Sequence, residues 1–180
     1  RLEADRVERP AAYTVDKTVP TGSADANDYR ASGYDRGHLV PAADMAFSAE
    51  AIAQTFSYST ISPQARDFNT GIWRELEENV RLWARTCKKL YIVTGPVLPH
   101  KGEERIGTNG VTVPQAFYKV ILDLSEPQQK AVAFLIPNTV TYDPLYDFVV
   151  PVDSIEAQTG LDFFPVLMTD SVEAALEANV

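Results

Sequence analysis

The sequence predicts a mixed α+β fold, an antiparallel sheet with helices packed on it. Residues 69–89 place Ile72, Trp73, Leu76, Val80, Trp83, Ala84 and Cys87 at spacings of mostly three and four, the period of a helix with one buried face. The runs 90–94, 111–124 and 131–136 are rich in Val, Ile, Phe or Tyr and bounded by Gly, Pro or Asn, as strands are. No repeat, linker or low-complexity stretch divides the 180 residues, so a single domain over 1–180 is expected.

Residues 1–33 are polar and rich in turn formers, which predicts loops with at most short strands. Ser48 to Gln54 reads as a short helix, with Ser48 as its cap and Glu50 in the first turn. Asn69 or Thr70 would cap the long helix, and Lys88 and Lys89 suit the negative end of its dipole. Pro114 breaks the second strand run. Asp153 or Ser154 would cap a helix over Ile155 to Thr159 that stops at Gly160, and Ser171 to Ala178 is a terminal amphipathic helix.

Composition narrows the function classes. No apolar run approaches the roughly 18 residues that a membrane span needs, so no membrane partner is expected. The first five residues carry no signal-peptide core, so either the protein is cytoplasmic or a leader precedes this stretch. The single cysteine, Cys87, excludes an intramolecular disulfide and a cysteine-rich zinc site; its pattern reads as a small buried hydrophobe. The net charge of −9 is uneven: all 16 basic residues precede residue 131, and eight carboxylates follow it with no Lys or Arg. A local field and not the net charge attracts a polyanion, so a basic cleft is compatible with this balance. The acidic segment is expected to face away from it.

There are two histidines. His100 lies in a turn-rich stretch and reads as an exposed loop residue. His38 lies in Gly33-Tyr34-Asp35-Arg36-Gly37-His38-Leu39, where an imidazole, a carboxylate, a guanidinium and two glycines crowd together. Arg suits phosphate oxygens because its planar fork gives parallel hydrogen bonds. Taken alone, the segment is either a structural turn or a site. Nucleophile-elbow, phosphate-loop, dinucleotide and two-histidine zinc motifs are all absent. A second constellation opens the long helix. On one continuous helix Asn69 and Glu77 would lie ~80° and ~12 Å apart, and Glu77 and Arg81 would form an i,i+4 pair. An amide oxygen can ligate a hard cation such as Mg2+, which keeps several waters. An N-cap with a surface ion pair is the other reading.

Together the two stretches carry a resemblance. Asp35-Arg36-Gly37-His38-Leu39-Val40-Pro41-Ala42-Ala43-Asp44-Met45 resembles the signature of the DNA/RNA non-specific endonucleases. These are the sugar-non-specific branch of the ββα-metal (His-Me finger) nucleases. Ile61 to Glu77 resembles the family's next motif, at a fitting spacing. Leu90 to Pro96 and Ile155 to Pro165 are weaker echoes, so the resemblance runs from about Arg9 onward. It implies a ββα-metal α+β fold, with a central antiparallel sheet flanked by helices. It implies Mg2+-dependent (or Mn2+-dependent) hydrolysis of DNA and RNA. The acidic tail and Thr60 motivate the alternative, a weakly active or inactive nucleic-acid-binding module of the same fold, or one that binds an inhibitor protein. His38 would be the general base and Asn69 the direct metal ligand. Glu77 would act through metal-bound water, Arg81 would sit near the phosphate and Arg36 beside His38. Arg9, with Arg6 as the alternative, would steady the phosphorane. Asp35 would shape the turn. Thr60 stands where the family commonly has Asn, which puts fine positioning of the site in question. Family habit implies export to periplasm or medium, or an organelle in a eukaryote.

Overall fold

The computed structural model describes residues 6–99, 103–125 and 128–178; His100 lies outside them. The long apolar helix forms as α5 (Ile72–Cys87), and its Ile72, Trp73, Leu76 and Val80 are buried. The strand runs form β3 (Tyr91–Val97), β5 (Val111–Thr112), β6 (Ala116–Asp123) and β7 (Lys130–Pro137), with β4 (Arg105–Ile106) before β5. Pro114 separates β5 from β6, as expected from its missing N–H. A short β8 (Val149–Val150) completes an antiparallel sheet in the order β3-β6-β7-β8.

Both faces of this sheet are covered. Alternate residues of β6 point to opposite sides. Phe117 and Ile121 meet Phe68, Trp73, Leu76 and Val80 under α5. Tyr118 and Val120 meet Val152, Ile155 and Phe163 on the other side, where α6 (Val152–Thr159) packs. The central antiparallel sheet flanked by helices is therefore present. A terminal helix, α7 (Asp170–Glu177), follows.

A separate antiparallel pair, β1 (Tyr34–His38) and β2 (Ile61–Ala65), precedes α5. Asn138 ties it to the sheet: its Oδ1 accepts from the Ala65 N–H at 2.8 Å, and its Nδ2 donates to the carbonyls of Pro63 and Pro114. Short helices α1 (Ala26–Tyr29), α2 (Ala42–Met45) and α3 (Ala49–Gln54) fill the N-terminal part. Ser48 caps α3 as expected, accepting from the Ala51 N–H.

Four expectations are corrected. The stretch 69–89 is two helices, α4 (Arg66–Thr70) and α5, broken at Gly71. A Cβ at Gly71 would lie 2.4 Å from the Asp67 carbonyl oxygen, so glycine permits the close turn. Neither Asn69 nor Thr70 caps α5, and the single-helix distance between Asn69 and Glu77 does not apply. α6 begins at Val152, three residues earlier than expected, with Pro151 at the N-cap position and no side-chain cap, whereas Gly160 ends it in the left-handed conformation as expected. Cys87 is half-buried at the end of α5, where its thiol hydrogen-bonds the Asp123 carboxylate and is held above its usual range. Residues 1–33 contain α1, closed by reciprocal Asp25 and Asp28 capping that the polar composition concealed.

Candidate active site

The site grows from β1. Arg36 and His38 project from one side of this strand, and Asp35 and Gly37 from the other. Gly37 is required by its neighbour: a Cβ there would meet Gln64 Cδ at 2.0 Å, and Gln64 is fully buried. The glycine lets Gln64 lie across the hairpin. At the end of β2 the chain turns at once into α4, which carries Asn69 back toward β1. Asn69 Nδ2 donates to Asp35 Oδ2 at 3.0 Å, and Arg66 lies 3.7 Å from the other oxygen of the same carboxylate. Asp35 thus orients the Asn69 amide and leaves its carbonyl oxygen, a hard donor, for another partner.

A cleft of about 640 Å³ brings together the residues expected to carry the chemistry, His38, Arg9, Arg36, Asn69, Glu77 and Arg81, with Arg6 and Arg74. Its lining ends at residue 81, so the acidic segment contributes nothing to it. Asp143 lines an adjoining groove with Thr70, Arg74 and Glu78.

His38 sits between two aromatic rings. Phe56 meets it edge-on at 4.9 Å and Tyr13 lies at 5.8 Å, tilted. Its Nε2 is sealed from solvent and without a hydrogen-bond partner. This burial, with the Arg9 charge added, pushes the imidazole down from 6.5 to about 4. The ring is neutral at pH 7. Arg9 lies 5.3 Å over Phe56, and Arg36 lies 5.3 Å over Tyr13 and 5.9 Å over Tyr29. Stacking on rings holds these cations at the cleft without neutralising them.

Glu77 is carried inward by α5. Burial pushes its carboxyl up from 4.5 to about 7, against the attraction of Lys119 and Arg81. The i,i+4 pair does not close: Arg81 Nη1 donates to Asp44 Oδ1 at 2.9 Å. Asp44 sits on α2, nearer to the guanidinium than the helix neighbour. Thr60 faces away from the cleft, its hydroxyl donating to the Ser57 carbonyl at 2.8 Å.

Sequence reasoning missed Phe56, Asp44 and Lys119. Phe56 is one aromatic among many and carries no local signal. Asp44 was visible only as a motif member. Lys119 had a signal, a lone cation inside an apolar strand run.

The sequence profile of the DNA/RNA non-specific endonucleases matches residues 1–170. The chain belongs to this family. It is 35% identical to human "Endonuclease G, mitochondrial", over 93% of this chain and 61% of that protein. It is 36% identical to mouse "Nuclease EXOG, mitochondrial", over 92% of this chain and 49% of that one. "Nuclease 1, mitochondrial" of Schizosaccharomyces pombe is 39% identical over 86% of this chain and 53% of the relative. The chain therefore spans about half to three fifths of these curated relatives. A crystal structure of an EndoG/EndoGI complex superimposes with a TM-score of 0.84 at 34% identity, covering 92% of this chain and 74% of that one. Its architecture and that of this chain are the ββα-metal α+β fold.

Proposed function

We propose that residues 1–180 act as one metal-dependent endonuclease domain that hydrolyses phosphodiester bonds of DNA and RNA without sugar preference. The observation that carries this reading is a neutral imidazole facing arginines and an oriented amide oxygen in one cleft. Family membership supports the nuclease chemistry.

The donor set fits Mg2+, with Mn2+ as a substitute. Mg2+ takes few protein ligands and keeps its waters. Asn69 Oδ1 would hold it directly, and Glu77 would hold its waters. When bound, the cation supplies positive charge to the phosphate as negative charge builds up in the transition state.

The chain's own residues do the rest. His38 takes a proton from the attacking water, with Nδ1 as the accepting atom because Nε2 is sealed. The water oxygen bonds to phosphorus, the bond to the sugar oxygen breaks, and that oxygen gains a proton from solvent. Arg9, Arg36 and Arg81 share the charge of the phosphorane. Contacts to phosphate and not to base edges leave base and sugar unread.

An inhibitor protein is a fitting partner, since the superimposed structure is a complex of EndoG with EndoGI that concerns EndoG inhibition. That the relatives are mitochondrial nucleases supports an organelle location in a eukaryotic host. No helix among the described residues is long and apolar enough to cross a membrane.

The test is supercoiled plasmid and single-stranded RNA, each with Mg2+ and with EDTA. The reading expects both to be cut with Mg2+ and spared with EDTA. Uncut plasmid and RNA in Mg2+ and in Mn2+ refute it.

A further inference from the structure

Lys119 is a cation where the fold calls for an apolar side chain. It lies on β6 between Phe117 and Ile121, on the sheet face that α5 covers, and it is 1% exposed. An unpaired ammonium in such a place costs several kcal/mol. Its Nζ donates to Thr94 Oγ1 at 2.7 Å and stands 4.8 Å over the Trp73 ring. Thr94 is its cross-strand partner on β3, and both contacts are neutral. The carboxylates whose field reaches it are those of Glu77 and Asp44, neither of which closes an ion pair with it within 4.0 Å.

The placement of these charges is directional. Lys119, Asp44 and Glu77 line a mostly apolar cavity of about 420 Å³ with Val80, Ile92 and Val93. Neither Lys119 nor Asp44 lines the catalytic cleft, whereas Glu77 lines both spaces. Glu77 is thus part of the wall, with arginines on one side and a buried ammonium on the other. Asp44 holds Arg81 at 2.9 Å, so the two cations and two carboxylates balance within the wall.

We propose that Lys119 is a positioning residue that holds the Glu77 carboxylate from behind, aimed at the water shell of the metal ion in the cleft. Thr94 and the Trp73 ring fix the ammonium, and its charge acts on the Glu77 carboxylate across the cavity that both residues line. A purely structural lysine would have no reason to sit behind the one acid shared with the cleft. A methionine would fill the same space without the cost of burying a charge. The inference rests on the metal reading above.

The test is a double-mutant cycle on Mn2+ affinity, read as free hexaaqua Mn2+ by electron paramagnetic resonance in protein without nucleic acid. Lys119→Met is expected to weaken Mn2+ binding about 10-fold, a change of about 1.4 kcal/mol. Glu77→Gln should weaken it at least as much. Adding Lys119→Met to Glu77→Gln should then change affinity less than about 2-fold, because a positioning residue has nothing left to position. Wild-type affinity in Lys119→Met, or a full additional loss in the double variant, overturns the proposal. Where Lys119→Met does not fold, Thr94→Val carries the same cycle, with a smaller loss that Glu77→Gln also abolishes; unchanged affinity there overturns it equally. Wild type that binds Mn2+ no better than Asn69→Ala sinks the metal reading, and this proposal with it. Wild type that binds through Asn69 while Lys119→Met binds equally sinks the positioning role alone.

Discussion

His38 is expected to titrate far below an ordinary histidine. Packing against Phe56 and Tyr13 removes water from the ring, and Arg9 adds a like charge. The gap between 6.5 and about 4 corresponds to roughly 3 kcal/mol of preference for the neutral ring, at about 1.4 kcal/mol per pH unit. At pH 5.5 a ring titrating at about 4 is roughly 3% charged, whereas an ordinary one is about 90% charged. The stability sign follows: the folded value lies below the unfolded one, so the contribution is complete above pH 6.5. It is lost as pH falls from 6.5 toward about 4, because the unfolded chain binds the proton first. Rate measurements alone would mix this with Glu77, held up to about 7. The direct assay is the imidazole Cε1 signal by NMR from pH 3.5 to 8. The chain has two histidines, and His38→Asn assigns the pair. Arg9→Gln should raise the His38 midpoint by less than half of the gap, since burial is the larger cause and stays in place. A wild-type midpoint near 6.5 would falsify this account. So would full recovery to 6.5 in Arg9→Gln, which would make the charge and not the aromatic cage responsible.

Three further outcomes are expected. Gly37→Ala forces a Cβ onto Gln64 Cδ at 2.0 Å and should cost about 1–3 kcal/mol in urea unfolding, partly recovered by adding Gln64→Ala; a loss under about 0.5 kcal/mol contradicts the packing. Asn69→Ala should remove most Mg2+ affinity in calorimetric titration, and Asp35→Ala, which frees the Asn69 amide, should lower it roughly 10-fold; equal affinity in all three proteins rules out Asn69 as ligand. Changing the exposed Asp147, Asp153 and Asp162 together to Asn should leave plasmid cleavage within about 2-fold across a salt series, since none lines the cleft. A gain of about 10-fold or more would place the acidic segment on the substrate path.

Elements whose signal is local were legible in the residues alone. The apolar period of residues 72–87 is a helix because its buried face repeats every turn, and β6 and β7 are strands because their residues suit a covered sheet. The motifs around His38 and Asn69 were legible because their chemistry and spacing are carried in short stretches. Gly71 was legible as a glycine but not as a break, because its reason is the Asp67 carbonyl that only the folded turn brings near. Tertiary structure also decided which charges meet. Arg81 has Glu77 at the right helical spacing, yet Asp44 on another helix lies in the better position. The neutrality of His38 depends on Phe56 and Tyr13, 18 and 25 residues away in the chain. Lys119 was an anomaly in its strand, and only the packing of α5 on β6 brought Glu77 within its field. Burial and electrostatic pairing depend on distance in space, which sequence spacing reports only within one helix or strand.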